Sequence, residues 1–486
     1  MKKLFFGLLL ISTWFCSSQQ KTRAIDTIAI EKLILQTFNE KDVIGASIII
    51  VKNGKVYYEK GFGLTKKSGS KMTPKTASGI ASMTKSFTGF AIMQLSEKGL
   101  IDLDEKVVFY LPNFRTSNAD YSNQITIRNL LYHSSGFSQL NGNRSWNLAD
   151  MSENALDRVV LDYGNVKLKN KPNENPQYSN ANYHILGLII EKVSKQSFEK
   201  YIKTNILEPL EMDNTFFGYP NSTNDNIANP NRLIFGFATN HSHNPRLSRN
   251  FYPVGGLYSS AEDMGKYLNA VLYKDKRLLS ENGFDQIFKI DKNERTNHGE
   301  FGWVRNYGKS EFFYHAGQFE GVESNMLIIP SEKIGLVVLS NTSGGNYATN
   351  RINSLINGPG EILLGYEPPS NFILIENIIF WTVCIIPIIF VYLIGKMLFR
   401  KREQQKRKSN LNFIIPILIF VILAFLFIIY IPRQNAIYIS GLLNYMPDVG
   451  YLFVVTTVLS LTWAILKIQQ TKRIRKNTTA NNVYKK

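Results

Sequence analysis

The sequence predicts an α+β domain in which an antiparallel sheet is flanked by helices and interrupted by a mostly helical subregion, followed by three transmembrane helices. Three observations support this prediction. Strand-like runs lie near both ends of the first 365 residues, more than 200 residues of helical and loop character separate them, and three long apolar segments follow. Sheet elements from the two ends of a domain with helices between them are typical of α+β folds.

The first elements have clear periodicity. Residues 25–40 carry apolar residues at helical spacing, which predicts an amphipathic helix. The stretch GASIIIVKNGKVYYEKGFGL then contains two strand-like runs joined at Asn53-Gly54, a dipeptide that strongly favours a β-hairpin. Between these runs and the next strands, the Asn-rich residues 221–250 suggest a long surface loop.

The later elements complete the predicted domain, residues 25–365. Residues 312–341 predict further antiparallel strands, and a helix is expected at about residues 347–364. Residues 366–376, which contain two adjacent prolines, are interpreted as a linker.

Both termini predict an association with a membrane. Lys2 and Lys3 precede an apolar run and a small polar stretch, which predicts a signal peptide over residues 1–18; lipidation of Cys16 is the alternative. Each apolar segment near the other end has roughly 20 residues, enough to cross about 30 Å of hydrocarbon. These predicted spans are residues 377–399, 411–431 and 449–468.

The charges between the spans predict their orientation. Residues 400–408 carry six basic residues and one acidic residue, and the tail from Lys467 carries seven basic residues and no acidic residue. By the positive-inside rule these segments, including the tail 469–486, face the cytoplasm. The expected location is therefore the inner membrane, with the domain on the periplasmic side.

The overall charge of +18 does not indicate a nucleic-acid partner. Most of the excess lies at the membrane region and the N-terminus, which leaves about +4 for the predicted domain. Only two cysteines occur, Cys16 and Cys384, so the exported domain has no disulfide and no thiol ligand for a metal. Its expected partners are a small-molecule or peptide substrate and the lipid bilayer.

A candidate nucleophile lies in IASMTKSF, where Ser82 and Lys85 are three positions apart. This spacing occurs four times in the chain, but only here does it open a strongly apolar helical stretch. Residues three apart share one face of a helix. A lysine buried in this way must be paired or have a lowered pKa, and either makes it chemically useful.

SMTK at this position resembles the first motif of the serine β-lactamase and penicillin-binding-protein superfamily, whose serine becomes acylated. Among the Tyr-x-Asn triplets of the chain, Tyr178-Ser179-Asn180 enters an apolar helix and best matches the second motif of that superfamily. His315-Ala316-Gly317 is the only His-x-Gly in the chain and begins a strand-like run, as the third motif does. The resemblance covers roughly residues 25–341.

The resemblance implies roles for these residues. Ser82 attacks an acyl carbonyl, and Lys85 and Tyr178 handle the proton, with Tyr178 the favoured base if Lys85 lowers the pKa of its phenol. Asn180 is expected to hold Lys85 and the substrate. The backbone N–H groups of Ser82 and Gln318 would form the oxyanion hole, and no metal or cofactor is required.

His315 and Gly317 complete the implied substrate site. Gly317 is expected to be small because substrate lies along its strand. Histidine at position 315 resembles the esterase and D-amino-acid peptidase branches, whereas β-lactamases usually have lysine there. The sequence thus favours a membrane-tethered serine hydrolase acting on an amide or ester, such as a cell-wall peptide. The alternative is a catalytically weak binding or sensory module coupled to the membrane helices.

Overall fold

The structure is a computed structural model of the 486-residue chain. It describes residues 24–37, 44–66, 69–144, 150–218, 226–235, 237–240, 248–289, 300–307, 310–343, 349–367, 372–399, 411–434, 438–445 and 447–483. The predicted signal peptide and the basic segment 400–408 lie outside the described residues.

Twelve strands are found in the described part of the chain. They are β1 Gly45–Lys52, β2 Lys55–Gly63, β3 Ser78–Gly79, β4 Phe216–Phe217, β5 Asn231–Ile234, β6 Phe237–Asn240, β7 Leu257–Ser259, β8 Val304–Tyr307, β9 Glu311–Phe319, β10 Val322–Ile329, β11 Ile334–Ser340 and β12 Thr342–Ser343. Six of them form the main sheet in the order β2-β1-β11-β10-β9-β8, and two three-stranded sheets have the orders β12-β5-β6 and β3-β7-β4.

The helices of the domain precede, interrupt and follow the main sheet. They are α1 Thr27–Thr37, α2 Thr84–Glu97, α3 Val107–Tyr110, α4 Ala119–Ser122, α5 Ile127–Leu131, α6 Gln139–Gly142, α7 Ala155–Asp162, α8 Asn180–Ser194, α9 Phe198–Ile202, α10 Tyr252–Gly255, α11 Ala261–Leu272, α12 Glu281–Ile287 and α13 Thr349–Leu364. The C-terminal region contributes α14 Phe372–Phe399, α15 Leu411–Phe425, α16 Ile431–Gln434, α17 Ile439–Tyr445 and α18 Pro447–Val483.

The main sheet joins the two ends of the domain. The early strand β1 pairs antiparallel with the late strand β11, with Ala46 opposite Ser340. The β1–β2 hairpin forms as predicted, and both Asn53 (φ 51°) and Gly54 (φ 76°) adopt the left-handed backbone that a tight hairpin turn needs. The prediction of an α+β domain with an antiparallel sheet is confirmed.

Apolar clusters cover both faces of the sheet, which explains why β1 is apolar almost throughout. Alternate side chains of a strand point to opposite faces. Ile49 and Val51 join the large core shared with the helical region, whereas Ile48 and Ile50 join the core beneath α1 and α13. The sheet is therefore a buried central layer.

The structure corrects the prediction that residues 221–250 form a long loop. Among the described residues of this stretch, β5 and β6 pair as a short antiparallel hairpin and β5 also pairs with β12. These strands were not predicted because they are short and lie in a polar stretch of sequence.

The prediction of three transmembrane helices is also corrected. Within the described residues, two helical segments are long and apolar enough to span a membrane by length and composition, Ile415–Arg433 and Pro447–Lys472. The first predicted span contributes only a shorter apolar stretch, Cys384–Phe399. At 1.5 Å per residue this stretch covers about 24 Å, less than the usual hydrocarbon thickness of about 30 Å.

Candidate active site

Ser82 lies in a single 3-10 turn, Ala81–Met83, directly before helix α2. The turn is fixed to the main sheet because the Ser324 hydroxyl on β10 donates to the Ile80 carbonyl at 2.9 Å. Ala81 has a φ of 46°, a left-handed conformation that costs a non-glycine residue roughly 1–2 kcal/mol. The surrounding contacts thus hold the serine in a conformation that the local sequence does not favour.

Lys85 is completely buried in the first turn of α2. Its Nζ donates to Ser82 Oγ at 3.2 Å and to the Val254 carbonyl at 2.7 Å. The structure places it against Ser82 rather than in solvent. Val254 belongs to α10, so the Lys85 amine connects two segments of the helical region.

Tyr178 approaches the same serine from the loop before α8. Its hydroxyl donates to Ser82 Oγ at 3.0 Å, and its ring lies 5.1 Å from Lys85 Nζ. Three side chains separated by up to 96 positions in sequence therefore meet at one oxygen. The structure brings together the three residues predicted to be catalytic.

Asn180 lies at the start of α8, two residues after Tyr178. Its Nδ2 donates to Asn143 Oδ1 at 3.2 Å, whereas the two hydrogen bonds found for the Lys85 amine go to Ser82 and Val254. The expectation that Asn180 holds Lys85 is therefore not met. Its buried Oδ1 has no hydrogen-bond partner among the described residues, which leaves one acceptor for a ligand.

His315, Gly317 and Gln318 lie on β9, beyond the part that pairs with β8. The His315 ring is buried, with its centroid 6.4 Å from that of Tyr178. The exposed Gln318 side chain donates from Nε2 to Glu323 Oε1 at 3.1 Å. The end of β9 thus forms one side of the site around Ser82.

Gly317 is small for a different reason from the one expected. A Cβ atom there would lie 2.3 Å from both the Ile80 carbonyl oxygen and Ser324 Oγ. The close approach of the serine-bearing turn to β9 therefore requires glycine before any substrate is considered.

Comparison with known proteins identifies the family of this domain. The Beta-lactamase family model matches residues 30–356, well over half of the chain. The chain belongs to the β-lactamase family. This confirms the resemblance seen in the sequence and places the protein in a family of serine hydrolases with the β-lactamase fold.

Relatives of this β-lactamase-family protein include one that is named for penicillin binding. Protein flp of Staphylococcus aureus (strain N315) is 32% identical over 323 residues, a match of 64% of this chain and 62% of the relative. This chain therefore matches less than two thirds of that relative's length. A putative penicillin-binding protein, PbpX of Bacillus subtilis (strain 168), is 28% identical over 64% of this chain and 74% of its own.

A solved structure shows the same fold. The octameric penicillin-binding protein homologue from Pyrococcus abyssi superposes with a TM-score of 0.59 and 30% sequence identity. The superposition covers 72% of this chain and 81% of the other.

Burial sets the protonation states within the site. It holds the pKa of the Lys85 amine well below its usual range and raises the pKa of the Tyr178 phenol above its usual range. The condition under which Tyr178 was the favoured base is therefore not met, because its phenol pKa is not lowered. A neutral Lys85 amine has a lone pair that can accept a proton.

His315 is also kept neutral. Burial lowers the pKa of its imidazole to about 4, so the ring carries no charge at neutral pH. A neutral ring presents hydrogen-bonding groups to a substrate but no positive charge.

His133 is a neighbour of the site that lies outside the three sequence motifs. Its Nδ1 accepts hydrogen bonds from the Ser179 backbone N–H at 3.1 Å and from Asn182 Nδ2 at 2.8 Å. Its carbonyl accepts from the Gln177 N–H at 2.9 Å, and its ring packs 4.8 Å from that of Tyr178. It therefore holds the backbone on both sides of Tyr178.

The sequence signal for this neighbour was the segment LLYHSSGF, which resembles a recurring segment of the superfamily. A second missed contact, the Val254 carbonyl, lies in FYPVGGLYSS, another such segment. Each segment was recognisable, but the partner of each group was not, because Val254 lies 169 positions from Lys85.

Proposed function

We propose that this protein is a membrane-tethered serine hydrolase that forms an acyl-enzyme at Ser82 and cleaves an amide or ester, with a cell-wall peptide as the favoured substrate class. The observation that carries the proposal is the meeting of Lys85 Nζ and Tyr178 OH at Ser82 Oγ, at 3.2 and 3.0 Å. Both distances lie in or close to the range in which a proton passes directly between side chains.

The proposed acylation begins with a neutral Lys85. Its lone pair accepts the Ser82 hydroxyl proton while Oγ forms a bond to the acyl carbonyl carbon. The backbone N–H groups of Ser82 and Gln318 stabilise the resulting oxyanion; one such donor contributes about 3 kcal/mol to lowering the barrier. The bond to the leaving amine or alcohol then breaks, and that group takes up a proton relayed from Lys85 through the Tyr178 hydroxyl.

Deacylation repeats these steps with water as the nucleophile. Water loses a proton to Lys85 as its oxygen bonds to the acyl carbon, the Ser82 ester bond breaks, and Oγ regains a proton. Asn180, whose buried Oδ1 is unpaired among the described residues, is suited to accept a hydrogen bond from a substrate N–H. His315 and Gly317 line the opposite side of the site.

The membrane tether and its orientation are part of the proposal. The two apolar helical segments support membrane association. Residues 1–18, which have the pattern of an export signal, and the basic residues that flank the apolar segments favour an extracytoplasmic position for the domain.

A labelling experiment tests the acyl-enzyme. A fluorophosphonate probe and a fluorescent penicillin are incubated with the full-length protein in detergent and with its Ser82→Ala variant. At least one of the two probes is expected to label the wild type, and neither probe is expected to label the variant. Equal labelling of both proteins would exclude Ser82 as the nucleophile.

A further inference from the structure

A second feature of the site is a cavity beside Ser82. Its empty volume, which includes open solvent, is about 350 Å³, and it has room for only one or two groups the size of a water molecule. Ala81, the residue before Ser82, lines it on one side, and Gly255, which follows Val254, lines it on another. The cavity therefore lies next to the turn that carries the nucleophile and to the segment that binds Lys85.

The walls of this cavity are mostly apolar, with hydroxyl groups only on Ser248, Tyr252 and Tyr258. None of its ten lining residues is charged, and the side chains that enclose most of it are Phe251, Tyr252, Tyr258, Phe319 and Val322. Transfer of a charged or unpaired polar group into such surroundings is costly, whereas a hydrocarbon group is favoured.

The aromatic walls are held in place by further rings. Phe251 packs against Phe319 with 5.4 Å between ring centroids, and Tyr258 stacks on Phe216 at 5.9 Å. A wall supported in this way does not collapse readily into the cavity, so the space is pre-formed for a ligand.

Gly255 is the most informative residue of the cavity. Its backbone does not adopt a positive φ, and a Cβ built on it would meet no atom closer than 3.4 Å, the nearest being those of Ala81. Neither backbone conformation nor packing thus requires glycine there. The adjacent Gly256 differs, because a Cβ there would lie 2.8 Å from Tyr252.

We propose that this cavity receives a short, uncharged hydrocarbon substituent on the acyl side of the substrate and that Gly255 keeps it open. The inference rests on the proposed acyl-enzyme at Ser82 and adds the chemical class of the acyl group. Acyl groups that carry a methyl or ethyl substituent near the carbonyl fit the cavity. A polar group of the same size loses hydrogen bonds to water that these walls do not replace.

The test uses the full-length protein in detergent with the p-nitrophenyl esters of acetate, propionate and glycolate. Glycolate is close in size to propionate but ends in a hydroxyl group. Each kcat/KM is divided by the rate of uncatalysed hydrolysis of that ester. The wild type is expected to prefer propionate over glycolate by about tenfold to a hundredfold, the discrimination that an apolar pocket achieves.

Gly255→Ala is the matched perturbation. Its added methyl group lies between two lining residues, Gly255 and Ala81, and narrows the cavity, so the propionate-to-acetate ratio is expected to fall about tenfold while the thermal unfolding midpoint is unchanged. Gly164→Ala is the control, because a Cβ at Gly164 meets nothing within 4 Å and Gly164 does not line the cavity. This control should keep the wild-type ratios.

The outcomes separate the two proposals. A wild type that hydrolyses the esters through Ser82 but prefers glycolate, or a Gly255→Ala variant with an unchanged propionate-to-acetate ratio, would overturn the inference and leave the acyl-enzyme intact. Absence of Ser82-dependent hydrolysis and of Ser82 labelling would overturn the proposed function, and the acyl pocket with it.

Discussion

His133 offers a sharp test of how the site is assembled. The buried Nδ1 of this residue accepts hydrogen bonds from Ser179 N and Asn182 Nδ2. His133→Phe keeps a ring to pack against Tyr178 and Tyr183 but removes that acceptor. Both donor residues are fully buried, so their N–H groups cannot turn to water instead.

The expected cost follows from those two donors. A buried donor left without a partner costs about 1–3 kcal/mol. Because the two donors share one acceptor, the free energy of unfolding should fall by about 2–4 kcal/mol. Since Ser179 follows Tyr178, the phenol should also lose its fixed position, and a displacement on the order of 1 Å can slow a reaction about a hundredfold.

Urea denaturation and the rate of Ser82 labelling measure these two effects. His133→Asn is the matched variant, because its Oδ1 supplies an acceptor near the position of Nδ1 and asparagine tolerates the φ of 54° at this residue. It should recover most of the labelling rate. If His133→Phe were as stable and as reactive as the wild type, the proposed positioning of Tyr178 would be wrong.

Three further predictions concern the site and its surroundings. Lys85→Met should fold, because an apolar side chain suits the buried position, but should slow labelling of Ser82 by about 10²- to 10⁴-fold; labelling at the wild-type rate would exclude Lys85 as the base. Gly317→Ala should lower the free energy of unfolding by about 1–3 kcal/mol, because the added Cβ would lie 2.3 Å from the Ile80 carbonyl oxygen and from Ser324 Oγ. Urea denaturation measures this change, and an unchanged free energy of unfolding would contradict the prediction. Acid should destabilise the domain through His315. The pKa of its imidazole is about 4 in the folded protein and 6.5 in the unfolded chain, so the unfolded chain binds more protons as the pH falls from 6.5 to 4. The free energy of unfolding should therefore fall by about 2–3 kcal/mol between neutral pH and pH 4.5, and His315→Gln should not show this loss. Equal pH dependence of the two proteins would refute the assignment.

Much of the fold was predictable because its signals are local. The Asn53-Gly54 hairpin needs only a short stretch of sequence, and the strands of residues 312–341 show the apolar pattern of buried strands. The short strands β5 and β6 were missed because each has four residues and a polar composition. The hydropathy pattern also predicted too long a membrane span for the first apolar segment, whose apolar helical part is only Cys384–Phe399.

The candidate site was predictable in its residues but not in its contacts. Ser82, Lys85 and Tyr178 belong to motifs with recognisable spacing, and the structure places them together. The Val254 carbonyl carries no side-chain signal, so nothing in the sequence indicated that it binds Lys85. The proposal of Lys85 rather than Tyr178 as the base likewise rests on the burial of the two side chains, which only the packed fold reveals.

The central claim is that Ser82 becomes acylated, and intact-protein mass spectrometry tests it most directly. After incubation with a fluorophosphonate or a β-lactam, the wild type should gain the mass of one adduct, and peptide mapping should locate it on Ser82. Ser82→Ala should gain none. An adduct on another residue, or the same adduct on both proteins, would contradict the account.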